Sequence, residues 1–155
     1  MTIDLSMTVN GVARRITTDP RLTLTEVLRE EMLLTGTKEG CGVGECGTCV
    51  VLADGKPVTS CLVLAGDADG ANIETVEGLA ADGELTEVQQ AFVNTGAFQC
   101  GFCTPAMVLT TTAIFRENDH PDIEDVKQAL GGILCRCGAY PKILEAVIEV
   151  KGDGA

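Results

Sequence analysis

Eight cysteines constrain this chain more than any other feature, because they fall into two separate groups of four. The first group has the spacing C-x4-C-x2-C-x11-C and consists of Cys41, Cys46, Cys49 and Cys61. The second has the spacing C-x2-C-x31-C-x-C and consists of Cys100, Cys103, Cys135 and Cys137. The N-terminus lacks the basic start and apolar run of a secretory signal, so we expect a cytoplasmic protein with reduced thiols. Reduced thiols at this density indicate metal sites, although their even number leaves a disulfide framework open.

The first group has the plant-type spacing for a [2Fe–2S] cluster, with three thiolates on one loop and a fourth returning from a strand. Such a loop must wrap closely around the cluster, and side chains obstruct that approach. Glycines interleave with these cysteines, at Gly40, Gly42, Gly44 and Gly47. A structural zinc site usually has two short C-x2-C pairs, and this group has one. The first group is therefore predicted to hold a [2Fe–2S] cluster.

The second group has a less usual spacing, which is compatible with zinc or with a second two-iron cluster. Its last two cysteines are separated only by Arg136, and that separation is awkward for chelating one small tetrahedral ion. A two-iron cluster spreads its four ligand positions over a larger object. His120 is the only histidine, which excludes a Rieske cluster with two histidine ligands.

The N-terminal half carries the signals of a small mixed sheet crossed by one helix. Apolar and polar residues alternate beside Asn10-Gly11, which is a strong hairpin turn, and Asp54-Gly55 marks a second hairpin. A capping box at residues 23–26 predicts the start of a helix. The predicted strands cover residues 5–9, 12–17, 49–53, 58–64 and 73–76, and the predicted helix runs to about residue 34.

The C-terminal half carries helix signals instead. A second capping box, prolines at helix starts and glycines at helix ends predict four short helices, at residues 86–96, 104–115, 122–130 and 141–148. Residues 66–83 are rich in Gly, Ala and Asp and are predicted to form a linker. We therefore expect an α+β chain with one domain at residues 1–78 and another at residues 79–155.

The composition excludes several classes of function. The chain has 23 acidic and 11 basic residues, and its net charge of −12 repels nucleic acids and anionic membranes. Aromatic residues make up 3%, too few for a base-stacking surface. Residues 88–115 include no charged residue, yet their amide side chains are costly in a bilayer, so we expect them to be buried against other protein. Neither a nucleic-acid partner nor a membrane span is expected.

Three motifs in this order resemble one protein family. They are KEGCGVGECGTCVVL at residues 38–52, QCGFCTP at 99–105 and LCRC at 134–137. Together they resemble the small iron–sulfur subunit of molybdenum hydroxylases, the xanthine oxidase family, over nearly the whole chain. The resemblance implies a plant-type ferredoxin-like β-grasp domain followed by a four-helix bundle, each holding one [2Fe–2S] cluster.

The resemblance also implies the place of each site in a larger complex. The second group of cysteines would hold the cluster proximal to molybdenum, and the first group the distal cluster. Gln99 and Cys137 would contact a molybdopterin, in its cytosine dinucleotide form, seated in a large partner subunit. FAD would lie on a third subunit, in a heterotrimer or a dimer of heterotrimers. The sequence departs from the family motif at one place near the molybdopterin contact, where Gly138-Ala139 replaces the usual Thr-Gly after the last cysteine.

These observations predict an electron-relay subunit without catalytic residues of its own. Clusters saturated by cysteine ligands transfer electrons and make no bonds. By resemblance, single electrons would pass from the molybdopterin centre through both clusters to FAD or another acceptor. Two alternatives remain at this stage: a free-standing two-cluster ferredoxin carrier and a zinc-stabilised interaction module.

Overall fold

The computed structural model describes residues 2–152 and has the predicted α+β architecture. Strands β1 (Ile3–Val9) and β2 (Val12–Thr18) form the first hairpin. Both residues of its turn have positive φ, 51° at Asn10 and 75° at Gly11, as the turn chemistry predicts.

Helix α1 (Leu24–Glu26) begins at the predicted capping box on Thr23 and continues as a π-helical stretch, Val27–Glu31. The predicted extension to residue 34 is wrong. Leu33 has a φ of 59°, which places it in the left-handed region and prevents a right-handed helix from continuing.

The second hairpin is shorter than predicted. Strands β3 (Val50–Ala53) and β4 (Lys56–Thr59) pair antiparallel, but the chain then forms a 3₁₀ turn, Ser60–Leu62, instead of a strand to residue 64. The hydroxyl of Ser60 donates to the carbonyl of Cys49 at 2.6 Å, and this buried hydrogen bond ties the turn to the end of the preceding loop. The fourth thiol of the first group therefore lies on a turn and not on a strand.

The predicted linker contains the central strand of the sheet. Strand β5 (Asn72–Glu74) pairs parallel with β1 and antiparallel with β3, so the strand order is β2-β1-β5-β3-β4. The strand predicted at residues 73–76 is present here as β5, although it begins one residue earlier and ends two residues earlier. The prediction of a linker at residues 66–83 is wrong because the Gly-rich and Asp-rich composition of this segment reflects tight turns around that strand. The predicted division after residue 78 stays a prediction.

Four helices make up the second half, which confirms the predicted bundle. Their starts follow the capping residues and prolines that the sequence contains, and α2 ends at Gly96 with a φ of 63°. They are α2 (Glu87–Thr95), α3 (Thr104–Glu117), α4 (Ile123–Leu130) and α5 (Tyr140–Lys151). Within residues 2–152, every helix is too short or too polar to cross a bilayer.

Strand β3 belongs to both hydrophobic cores of the molecule. Val50 and Leu52 pack with the helices of the second half, whereas Val51 packs with α1 and the other strands. The alternation of side chains along a strand explains this division. The uncharged residues 88–115 supply much of the helical core, so the chain's own fold buries most of α3.

Two candidate metal centres

The structure brings the first group of thiols together as two neighbouring pairs, Cys41 with Cys46 and Cys49 with Cys61. The first three lie on the loop between α1 and β3, and Cys61 lies on the turn after β4. Backbone N–H groups of this loop point at the sulfurs. Those of Val43 and Cys46 donate to the Cys41 Sγ at 3.5 and 3.4 Å.

The two ends of this site differ in electrostatics. The N–H groups of Val43 and Cys46 lower the pKa of the exposed Cys41 thiol to about 7, because they stabilise its thiolate. Burial and, to a smaller extent, the neighbouring Cys49 thiol raise the pKa of the Cys61 thiol to about 11. Donors that stabilise a thiolate also stabilise a metal-bound sulfur, so the exposed end of the loop is suited to an anionic cluster.

Hydroxyl groups beside the thiols are site residues that our reading of the sequence missed. The Thr48 Oγ1 lies 3.1 Å from the Cys46 Sγ, and Ser60 holds the Cys49 carbonyl from within the core. Thr25 bonds to the Ser60 hydroxyl at 2.6 Å and thereby ties α1 to the site. The sequence could have identified these two hydroxyl residues, because Thr48 and Ser60 each directly precede a cysteine.

The second group of thiols also meets as two pairs, Cys100 with Cys137 and Cys103 with Cys135. The first two cysteines precede α3, and the last two lie on the loop between α4 and α5. The N–H of Phe102 lowers the pKa of the exposed Cys100 thiol, and the thiol of Cys137 lowers it further. Burial raises the pKa of Cys103 to about 12. This site therefore has an exposed and a buried end, as the first does.

The structure places Gln99 beside Cys137, the other residue predicted to contact a pterin. The Gln99 Nε2 donates to the Cys137 carbonyl at 3.4 Å, and the Gln99 side chain is exposed. Helix α3 has its N-cap at Cys103, without a side-chain hydrogen bond, so Gln99 does not cap that helix. Gly138, which replaces the usual threonine, has a φ of 73°, a conformation that favours glycine.

The loops of the two sites touch each other through their backbones. The N–H of Leu134 donates to the carbonyl of Cys46 at 2.9 Å, which joins a cysteine of the first group to the residue before Cys135 of the second. At Gly47, a Cβ atom would overlap the carbonyl oxygen of Gly132 and lie 3.0 Å from the Ile133 Cα. The packing therefore requires glycine at position 47, where φ is also positive at 67°.

The arrangement of the thiols in pairs distinguishes between two groups that these sites could hold, a two-iron cluster and a single zinc ion. Across residues 2–152, no three His, Cys, Asp or Glu side chains converge closely enough for one metal ion. Each group instead brings its four thiols together as two neighbouring pairs. A two-iron cluster binds two thiolates at each iron, so each pair of thiols would serve one iron. A structural zinc ion needs four ligands around one point.

Comparisons with known proteins agree with this chemistry. A family model described as "2Fe-2S iron-sulfur cluster binding domain" matches residues 7–80, and one described as "[2Fe-2S] binding domain" matches residues 75–148. The small FeS subunit of nicotinate dehydrogenase from Eubacterium barkeri is 48% identical over 145 residues, covering 94% of this chain and 92% of that protein. The xanthine dehydrogenase iron-sulfur-binding subunit of Escherichia coli O157:H7 is 45% identical, covering 96% and 94%.

Solved structures show the same likeness. A chain of quinoline 2-oxidoreductase from Pseudomonas putida 86 superposes with a TM-score of 0.93 at 43% identity, covering 97% of this chain and 94% of that one. Aldehyde oxidoreductase from Desulfovibrio gigas superposes with a TM-score of 0.90 at 37% identity. The likeness covers 96% of this chain but 17% of that much longer one.

Fold and matched domains together define a two-domain [2Fe–2S] protein. More narrowly, the chain belongs to the small iron–sulfur subunits of the molybdenum hydroxylases. The predicted family, fold class and electron-transfer role in an oxidoreductase are thereby confirmed, with the chain as a non-catalytic subunit. The match to [2Fe–2S] domains favours iron over zinc at the second site as well as the first.

Proposed function

We propose that this chain relays single electrons from a molybdopterin centre on a large partner subunit to FAD or another acceptor. One [2Fe–2S] cluster would be held by each group of thiols. The proposed distal ligands are Cys41, Cys46, Cys49 and Cys61, and the proposed proximal ligands are Cys100, Cys103, Cys135 and Cys137. When bound, the two clusters supply reversible one-electron chemistry, and the protein supplies their position and surroundings.

The observation that carries this proposal is the backbone contact between the two thiol loops. The Leu134 N–H donates to the Cys46 carbonyl, and Leu134 is the residue before Cys135. A short covalent path with one hydrogen bond therefore joins a proposed ligand of one site to a proposed ligand of the other. An electron relay needs such close, fixed spacing, whereas two independent structural metal sites do not.

Exposed apolar side chains around the second site support its placement against a large subunit. Phe98, Phe102 and Leu134 are 44, 43 and 58% exposed, and all three lie within two residues of a proposed ligand. Apolar surface of this kind is typical of the buried centre of a protein interface. Gln99 lies among them, and its amide offers donors and an acceptor to the polar edge of a pterin. We propose that Gln99 and Cys137 contact the molybdopterin there, in its cytosine dinucleotide form.

The first site has its own exposed apolar border. Val43 and Leu62 are 63 and 64% exposed beside the exposed Cys41. We propose that an FAD-binding medium subunit covers this end and accepts the electron. The relatives from E. barkeri and E. coli are named as subunits of their enzymes. By analogy, this chain would work in the cytoplasm in a heterotrimer or a dimer of heterotrimers.

Metal analysis of the purified complex tests the cluster content first. We expect about four irons and four sulfides per copy of this chain, and two different signals in the electron paramagnetic resonance spectrum of the reduced protein. A zinc-containing, colourless chain would contradict the proposal. A chain that purified alone with its full iron content and exchanged electrons freely would indicate a free-standing carrier instead.

Two cysteine variants then test the order of the relay. Cys49→Ala is expected to remove the distal cluster, so that substrate still reduces the proximal cluster but FAD is reduced more slowly. Cys103→Ala is expected to interrupt transfer at its first step. Stopped-flow reduction by substrate separates the two cases, and each variant serves as the control for the other. Normal flavin reduction in both variants would show that the proposed order is wrong.

A further inference from the structure

The hydroxyl of Tyr140 links the two thiol loops through a continuous chain of hydrogen bonds. It accepts from the Cys135 N–H at 2.9 Å and donates to the Ile133 carbonyl at 3.0 Å. The next N–H along the backbone, that of Leu134, donates to the Cys46 carbonyl at 2.9 Å. The chain of bonds therefore begins at a proposed ligand of the second site and ends at a proposed ligand of the first.

The central link in this chain is a single peptide group. The carbonyl of Ile133 and the N–H of Leu134 belong to the same planar unit, so a bond at either end fixes the orientation of both. Tyr140 holds the carbonyl end, and the first thiol loop holds the N–H end. Hydrogen bonds arranged in series polarise and strengthen one another. The bond from Tyr140 therefore supports the orientation of the Leu134 N–H and strengthens its bond to the Cys46 carbonyl.

We propose that Tyr140 is a positioning residue that sets the rate of electron exchange between the two clusters. This inference rests on the proposed function, because it assumes that both groups of thiols hold clusters. The phenol touches neither set of thiols through its own hydrogen bonds, and it acts through the peptide between Ile133 and Leu134. Small changes in such a supporting contact alter the reacting geometry that it holds.

The position of Tyr140 allows its hydroxyl to be tested apart from its ring. Tyr140 is the first residue of α5, and its ring packs against the helical core. Tyr140→Phe keeps the ring and removes only the hydroxyl. The Cys135 N–H then loses its partner, and the peptide before Leu134 is held from one side only. No cysteine is changed.

The experiment compares the complex carrying Tyr140→Phe with the wild-type complex. We expect unchanged iron content, a slower transfer between clusters after flash photoreduction, and a smaller magnetic splitting when both clusters are reduced. Thr86→Val is the matched control, because it removes a hydroxyl that caps α2 in the same half of the molecule. This control is expected to lower the melting temperature without changing the transfer rate.

A wild-type transfer rate in Tyr140→Phe would overturn the inference, and so would an equal slowing in Thr86→Val. If Tyr140→Phe lost iron, 3,5-difluorotyrosine would be inserted at position 140, because it keeps the ring and makes the hydroxyl a stronger donor and weaker acceptor. A changed rate with full iron content would then support the inference, and an unchanged rate would overturn it. Failure of the proposed function would be visible separately, as missing iron in the wild-type complex.

Discussion

The proposed role of Gln99 depends on a partner outside this chain. Its amide donates to the Cys137 carbonyl within the chain, and its side chain is otherwise exposed at the surface around the second site. Binding of the proposed ligand Cys100 to its cluster would also fix the backbone that carries Gln99. A side chain fixed in this way can present its amide to a pterin with little loss of conformational freedom.

Gln99→Leu is expected to keep both clusters and to weaken retention of the molybdopterin. No proposed ligand is lost, but a buried polar group of the cofactor would lose its partner at a cost of ~1–3 kcal/mol. The measurement is molybdenum occupancy together with substrate-driven reduction of the clusters. Gln90→Leu is the control, because Gln90 is an exposed glutamine on α2. Full occupancy and normal reduction in Gln99→Leu would remove Gln99 from the site.

The raised pKa values of Cys61 and Cys103 predict how iron binding depends on pH. Their pKa values of about 11 and about 12 exceed the ordinary thiol value of 9.0, so the protonated thiols stabilise the iron-free fold below pH 9 and that stabilisation is lost as pH rises towards 11–12. Iron must displace these protons, whereas Cys41, with a pKa of about 7, is largely a thiolate above that pH.

Resistance to a chelator is therefore expected to rise with pH between about pH 7 and about pH 9. The measurement is the chelator concentration that removes half of the iron at each pH, with the chelator's own protonation taken into account. A constant concentration across this range would contradict the prediction.

At the scale of elements, the decisive contact joins two loops that are far apart in sequence. The loop at residues 41–49 and the loop at residues 131–138 approach so closely that Gly47 leaves no space for a side chain. Gly47 also needs a positive φ, so two separate requirements coincide at one position. The contact packs a loop of the sheet half against a loop of the helical half.

Gly47→Ala is expected to destabilise the protein more than Gly55→Ala. Both glycines have positive φ, 67° and 80°, but a Cβ at Gly55 meets nothing within 4 Å. Gly55→Ala should therefore cost only the backbone strain, about 1–2 kcal/mol. Gly47→Ala should add about 1–3 kcal/mol for the overlap with Gly132. Chemical unfolding of both variants measures the difference in unfolding free energy. Equal losses of unfolding free energy in the two variants would show that the loops can move apart without cost.

At the scale of the whole molecule, strand β3 couples the two halves. Val51 and Leu52 are both fully buried, although they are neighbours on a strand and point to opposite faces. The first packs into the core of the sheet half and the second into the core of the helices. The ion pair between Arg116 on α3 and Glu74 on β5 adds a polar connection between the halves, worth about 0–1 kcal/mol at its exposed position.

Leu52→Ala is expected to destabilise the whole chain in one unfolding transition. Truncation of a fully buried leucine costs about 2–5 kcal/mol, and the shared strand transmits the loss to both cores. Leu85→Ala is the control, because Leu85 is 45% exposed and its truncation should lower the free energy of unfolding much less. The readouts are circular dichroism for the helices and cluster absorbance for the sites. Separate transitions would show that the two halves unfold independently.

The local sequence determined much of this protein by itself. Cysteine spacing, hairpin turns and capping boxes act over a few residues, so they predicted the [2Fe–2S] chemistry of the first group of thiols, the first hairpin and all four helices of the bundle. The individual cluster ligands stay a prediction. Composition alone predicted a linker at residues 66–83, and that prediction was wrong because a strand of three residues lies there among turn-forming residues. The strand itself was predicted within two residues of its bounds, but its central place in the sheet follows only from its pairing with β1 and β3.

Only the tertiary structure decided which groups meet across long separations in the chain. Position 47 must be glycine because Gly132 lies against it, and the sequence around Gly47 explains only its positive φ. The hydroxyl of Tyr140 likewise finds partners on both sides of Leu134, and only folding brings Leu134 to the Cys46 carbonyl. Such contacts depend on the packing of two halves around a shared strand, and no local pattern specifies the distance between loops that the packing brings together.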